Sequence, residues 1–179
     1  MVAVFLAEGF EIAEALVPVD YLRRAGIETV TVSVGERTVK SSCGVCVVAD
    51  RLAGELDPAA LEAVVLPGGM PGASNLSRSP AVNAAIDSAL QSGAVIGAIC
   101  AAPAVVLARR GLLRGKRATC YPSFREELLG CLPADTPVVW DKPFVTAVGP
   151  GYAGAFGLCL IEQLRGAEAA GRVRAGLCL

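Results

Sequence analysis

Cys100 stands in the middle of SGAVIGAICAAPAVVLARRG, residues 92–111, where an apolar strand pattern hands over to a helical one. A cysteine on that junction sits on a tight turn, with its side chain raised at the carboxyl edge of a sheet. This is the mechanical arrangement of a nucleophile elbow. A helix following it would aim free N–H groups and its positive dipole end at the sulfur, which favours thiolate over thiol. An inert cysteine filling the strand–helix corner would occupy the same place. Position alone leaves packing and nucleophile both open.

Two further stretches supply partners for such a sulfur. AEGFEIAE puts Glu8, Glu11 and Glu14 in one loop and the first helical turn after it. Capping and dipole pairing are the ordinary roles of acidic residues there. A carboxyl beside Cys100 would instead have its pKa raised by burial and by a neighbouring thiolate. Protonated, it could donate to sulfur or act as a general acid/base. LPGGMPGA, residues 66–73, places Gly68 and Gly69 directly after a strand, where the backbone can turn sharply and present N–H groups to a ligand. It lacks the Gly-Lys-Ser/Thr ending of a P-loop and does not match GxGxxG. An oxyanion-binding turn uses it better.

The other cysteines read as packing or surface thiols. Cys43-Gly-Val-Cys46 has redox spacing, but its flanks VKSS and VVAD look like strand and turn, and no second pair or histidine follows to complete a zinc site. Cys120, Cys131, Cys159 and Cys178 have no acidic neighbour and no elbow, although Cys120 adjoins Tyr121. Trp140 reads as packing, and the Arg23-Arg24 and Arg109-Arg110 pairs as solvated helix ends.

These residues need a scaffold, and strand and helix patterns alternate along the chain. VAVFL (2–6), ETVTVSV (28–34), AVVLP (63–67) and AVIGAI (94–99) are short apolar or β-rich runs, with further strands expected near 116–120, 137–140 and 144–148. Helices are expected over 11–25, with Ile12, Leu16, Val19 and Leu22 as its apolar positions and Pro18 bending it or marking a late start, and over 80–91 behind a Ser79 cap. Others follow over 101–111, 152–164 and 167–174, while 39–50 looks like a hairpin or edge strand. Alternation of this kind implies a three-layer α/β/α sandwich on a mostly parallel, doubly wound sheet, with ligands at the carboxyl ends of its strands. No linker or repeat interrupts residues 1–179, so one domain is expected.

Composition narrows the function classes. The 179 residues are 54% hydrophobic with 5% aromatics, and the formal charge is −1 without a basic stripe, which argues against nucleic acid and against an anionic membrane surface. Mean hydropathy is +0.55, yet no charge-free apolar run reaches the roughly 18 residues of a spanning helix. The start MVAVFLAEGFE has no basic segment and meets Glu8 early, so a cytoplasmic location with reduced thiols is expected for the seven cysteines. Histidine is absent.

Taken together, AEGFEIAEALVPVDYLRRAG, VVLPGGMPGASNL, GAICAAPAVVLA, ATCYP and GPG resemble the ThiJ/PfpI superfamily, most closely its parkinsonism-associated deglycase and glyoxalase III-like branch. The resemblance runs from near residue 1 to about 175 with the segments in family order. It implies a flavodoxin-like fold, a homodimer, Cys100 as nucleophile and Glu14 as the carboxyl hydrogen-bonded to it. It also implies Glu11 as companion acid, Gly68, Gly69 and Ala101 as backbone donors, and Gly149 and Pro150 lining the site near the dimer interface.

Two departures matter. Protease-like members have His directly after the nucleophile, where this chain has Ala101; many deglycase-branch members have His where this chain has Tyr121. Without histidine no Cys-His dyad forms, which excludes peptidase and glutamine-amidotransferase chemistry of that type. The expected function is cofactor-free and metal-free attack of Cys100 on small reactive 2-oxoaldehydes or early glycation adducts, with Glu14 moving the proton and Tyr121 as helper or pocket wall. The alternative is an oxidative-stress sensor or chaperone in which Cys100 becomes sulfinic acid. A related enzyme with another small substrate, near thiazole or thiamine metabolism, rests on the family's naming alone.

Overall fold

The computed structural model describes the backbone of residues 1–179 and every side chain except that of Pro133. In chain order the elements are β1 (Val2–Leu6), α1 (Ile12–Arg24), β2 (Thr29–Ser33), β3 (Thr38–Lys40), β4 (Cys46–Val48), β5 (Arg51–Leu52), β6 (Ala63–Leu66), α2 (Gly72–Arg78) and α3 (Pro80–Ser92). They continue with β7 (Val95–Ile99), a wound segment over residues 103–110, β8 (Arg117–Ala118), β9 (Leu132–Pro133), β10 (Val138–Asp141), β11 (Phe144–Ala147), α4 (Ala153–Arg165) and α5 (Ala167–Gly176).

Seven strands form one sheet in the order β10-β11-β7-β6-β1-β2-β5. Every pairing in it is parallel except β10 with β11. The chain starts in the interior at β1, moves outward to β2, then crosses back to β6 on the other side. That reversal opens a crevice at the carboxyl ends of β1, β6 and β7, the usual ligand position in a doubly wound sheet. This is the flavodoxin-like three-layer fold expected from the alternation.

Both faces of the sheet are covered, which explains why its strands read as unbroken apolar runs. Within β1, Val2, Val4 and Leu6 pack toward α1 and α4, where Ala15, Val19, Leu22, Phe156 and Leu160 meet them. The alternate residues Ala3 and Phe5 pack on the other face against Val82, Ala85 and Ile86 of α3. β7 does the same around Gly97, where a Cβ would lie 2.9 Å from the Phe156 ring and 3.0 Å from a Leu160 methyl. A glycine there lets α4 seat closely on the sheet.

Several elements differ from the sequence expectation. The glycine-rich stretch after β6 is not all loop, because α2 starts at Gly72, with Pro71 as an N-cap lacking a side-chain bond. Residues 101–111 do not form a regular α-helix: Pro103–Leu107 is wound as π-helix and Ala108–Arg110 as 3₁₀. α1 runs through Pro18, and its buried stripe is Glu14, Ala15, Pro18, Val19 and Leu22, while Ile12 and Leu16 are only half-buried. The 39–50 region is the hairpin that was one of its two expected forms, β3 with β4, outside the main sheet, and the two-residue β5 forms the sheet's edge. The strand expected over 116–120 is only two residues, paired with β9 in a separate small sheet. Among the described residues no helix is long and apolar enough to cross a membrane.

Candidate active site around Cys100

Cys100 follows β7 directly and adopts φ +64°, a left-handed conformation rare for a residue with a Cβ. Neighbouring backbone holds it there on both sides. Its N–H donates to the Ala147 carbonyl at 2.9 Å, and its own carbonyl accepts the Tyr121 N–H at 2.9 Å. The side chain is thereby lifted from the end of the sheet, as an elbow requires, and is half-buried.

Two turns approach the sulfur. The Gly69 and Ala101 backbone N–H groups face it and pull its thiol downward. Gly68 is the tightest point of the site: a Cβ there would stand 2.7 Å from Cys100 Cβ, 2.8 Å from Glu14 Oε2 and 3.0 Å from the Ala101 nitrogen. Gly69 has φ +80° and no room for a side chain against the Gly9 carbonyl and the Glu11 nitrogen. Glycine is thus required twice, once for space and once for backbone conformation.

Glu14 lies on the inward stripe of α1 and is fully buried. Its Oε2 accepts the Gly68 N–H at 2.8 Å, while Oε1 is buried with no nitrogen or oxygen partner. The carboxyl interacts with the Cys100 thiol. Burial lifts Glu14 from 4.5 to about 7, helped by the nearby charge of Glu11, against the lowering effect of the Gly68 N–H and the thiol. The thiol is pushed from 9.0 to about 12, first by burial and then by the charge of Glu14, with the Gly69 and Ala101 amides pulling the other way. The helix-end lowering expected from sequence therefore does not prevail: removing the sulfur from water outweighs it, and the following segment is an irregular winding.

The two groups titrate as one pair, which loses its first proton near neutrality and holds the second far longer. Donor count bears on where the remaining proton sits. The sulfur has two backbone N–H groups, whereas Glu14 has one and an orphaned Oε1. A proton on Oε1 satisfies that orphan and removes the charge opposing the thiolate.

The remaining candidates fall at different distances from this centre. Glu11, half-buried, takes the N-cap position of α1 without capping it; its N–H donates to the Gly68 carbonyl at 3.0 Å. Tyr121 meets Cys100 through its backbone, and its ring lies about 3.3 Å from where a Gly149 Cβ would be. Pro150 lines a groove between α1 and α4 with Val17 and Tyr21. Phe124, marked in the sequence only by its nearness to Tyr121, packs with Cys100 against Ala73, Ala101 and Val105 as an apolar wall.

Cys43 and Cys46 are exposed. Cys46 pairs across the hairpin with Lys40, while Cys43 lies in the turn with its sulfur 3.3 Å from the Ser41 hydroxyl. Burial raises the thiols of Cys120 and Cys159 to about 11, and Cys131 is raised as well. Trp140 packs against the core.

Comparison with family profiles matches residues 1–163 to the DJ-1/PfpI family. The chain belongs to that family. A DJ-1/PfpI relative from Arabidopsis thaliana, Protein DJ-1 homolog B, is 37% identical over 97% of this chain and 40% of its own length. A second Arabidopsis relative is matched over 45% of its length, so the chain spans less than half of either. The Caenorhabditis elegans protein named glutathione-independent glyoxalase DJR-1.2 is 32% identical over 96% of this chain and 92% of that protein. The solved structure of oxidised Toxoplasma gondii DJ-1 superposes with a TM-score of 0.95 at 40% identity, covering 99% of this chain and 97% of that one.

Proposed function

We propose that this DJ-1/PfpI protein is a cysteine-dependent enzyme for small reactive 2-oxoaldehydes, acting without glutathione. The observation carrying the proposal is the buried Cys100–Glu14 pair, with the Gly69 and Ala101 amides on the sulfur. The glyoxalase named among its relatives supports the substrate class.

We take the pair to react as a thiolate facing protonated Glu14, the state its donor count favours: the Cys100 thiolate adds to the aldehyde carbon of a 2-oxoaldehyde, and the carbonyl π pair becomes an alkoxide. The Gly69 and Ala101 N–H groups stabilise that charge, and Glu14 gives its proton to complete the hemithioacetal. Glu14, now a carboxylate, removes the proton from the former aldehyde carbon. Returning a proton to the adjacent carbon yields a 2-hydroxy thioester. Water hydrolyses this to the 2-hydroxy acid and releases the thiol. No net oxidant or reductant is consumed. An early glycation adduct, a hemiaminal, enters the same path once the amine has left and restored the 2-oxoaldehyde. A second copy of the chain, as in a homodimer, is the protein partner proposed.

The test is turnover of methylglyoxal by reduced protein without glutathione, followed as lactate. Wild type should produce lactate, and Cys100→Ser and Glu14→Gln should not. No turnover by clean, reduced wild type sinks the proposal. A sensor reading is favoured by the oxidised relative and by donors that suit a sulfinate equally well. It predicts selective peroxide oxidation of Cys100, read by peptide mass spectrometry; equal oxidation of all seven cysteines counts against an activated thiol.

A further inference from the structure

The hairpin of β3 and β4 stands outside the main sheet, and two strands alone are marginal in water. Val39 buries one of its faces. Val47 also packs against the core, and the turn end of the hairpin is tied to the loop between β1 and α1. The Gly9 N–H donates to the Lys40 carbonyl at 2.8 Å, the Ser42 N–H to the Phe10 carbonyl at 2.8 Å, and the Lys40 N–H to Glu8 Oε2 at 3.2 Å. Phe10 and Ser41 also form a parallel bridge. The last tie is between side chains: the Ser42 hydroxyl donates to Glu11 Oε2 at 2.8 Å across 31 residues of sequence.

That tie is informative because of what Glu11 does not do. An acidic residue at a helix N-cap ordinarily accepts from the N–H groups of the first turn. Glu11 makes no such bond. Its carboxylate is turned to Ser42 instead, while its own N–H donates to the Gly68 carbonyl in the turn that carries the sulfur's donors. We propose that Ser42, reaching across from the hairpin, is a positioning residue that holds the Glu11 carboxylate beside the Cys100–Glu14 pair and thereby sets how tightly the pair keeps its proton.

The electrostatics agree in sign. The titratable or charged groups acting on Glu14 are the Cys100 thiol from the end of β7 and Glu11 from the start of α1; the β6 turn contributes only the uncharged Gly68 N–H. Of these, Glu11 disfavours a second negative charge. Fixing it by a hydroxyl keeps its charge near the pair; releasing it lets the carboxylate swing toward water, where it is screened. Ser42 touches no reacting atom and acts only through Glu11.

The inference rests on Cys100 being reactive but not on the substrate, so the readout is independent of turnover. Iodoacetamide labelling of Cys100 is followed by peptide mass spectrometry as a function of pH, which separates it from the other cysteines. Glu11→Gln should move the labelling midpoint to lower pH by about half a unit, the effect of one partly exposed carboxylate. Ser42→Ala should move it in the same direction, Ser42→Thr should keep the wild-type value, and Ser42→Ala should add nothing in a Glu11→Gln background. A hairpin that merely supports the fold would lower yield or stability without moving the midpoint. An unmoved midpoint in Ser42→Ala, a shifted one in Ser42→Thr, or an additive shift in the double variant overturns the inference. Failure of methylglyoxal turnover alone leaves all these readings in place and counts only against the proposed substrate.

Discussion

Replacing Glu14 by glutamine tests where the shared proton resides. In wild type the pair loses its first proton near the value of Glu14, about 7. Glutamine cannot carry that proton. The variant thiol keeps the burial that raises it and the two amides that lower it but no longer faces a carboxyl; the ordinary thiol value of 9.0 then serves as the reference. At a pH about half a unit above neutral, the thiolate fraction should fall from roughly three quarters to about 3%, some twentyfold. Labelling rates will fall by less, because a more basic thiolate is the better nucleophile. The midpoint of the labelling profile is therefore the quantity to measure, and it should rise by about two pH units. A midpoint that stays or falls would place the proton on sulfur and refute the thiolate–acid assignment. In that case removing the Glu14 charge would have eased ionisation of the thiol.

Other substitutions test the frame around the pair. Because Glu14 titrates higher in the folded chain than its ordinary 4.5, its ionisation destabilises the fold progressively between 4.5 and about 7 and by a constant amount above. Glu14→Gln should thus leave stability unchanged near pH 4 and raise it by up to about 3 kcal/mol near pH 8, measured by urea unfolding. Gly68→Ala should abolish labelling selectivity at Cys100 and lower Tm, since its Cβ meets Cys100 Cβ at 2.7 Å; an active, equally stable variant would contradict the packing. Cys100→Gly should be more stable than Cys100→Ala by about 1 kcal/mol in the same unfolding assay, because glycine tolerates φ +64°. Tyr121→Phe should change the labelling midpoint little, as the backbone N–H makes the contact with Cys100; a shift of a full pH unit would give the phenol a role.

The sheet and the elbow were legible because each left a local signature. β1, β6 and β7 are apolar runs of strand length, and Cys100 falls one residue past the last of them. The glycine pair was legible as a turn, and its closeness to the sulfur followed only from family resemblance. The burial of Glu14 was hidden by choosing the wrong helical face: Ala15, Pro18, Val19 and Leu22 define the inward stripe, and Glu14 continues it one turn earlier. α2 escaped notice because Gly72 and Pro71 look like loop residues and no side chain caps the helix. The π winding after Pro103 has no evident composition cue. Ser42 and Phe124 were invisible in sequence since both reach the site by tertiary contact, from a hairpin and from the segment after Tyr121.

The backbone on either side of Cys100 is tied to other parts of the chain, to Ala147 on the strand side and to Tyr121 on the loop side. A nucleophile mounted this way has no slack. Whatever attaches to its sulfur must be accommodated by rotation of one short side chain and by the room that Phe124 and the glycine turn leave. The elbow therefore works as a gauge of adduct size. Small adducts should leave the melting temperature nearly unchanged, whereas bulky thiol reagents should act as wedges between β7 and its neighbours and lower it.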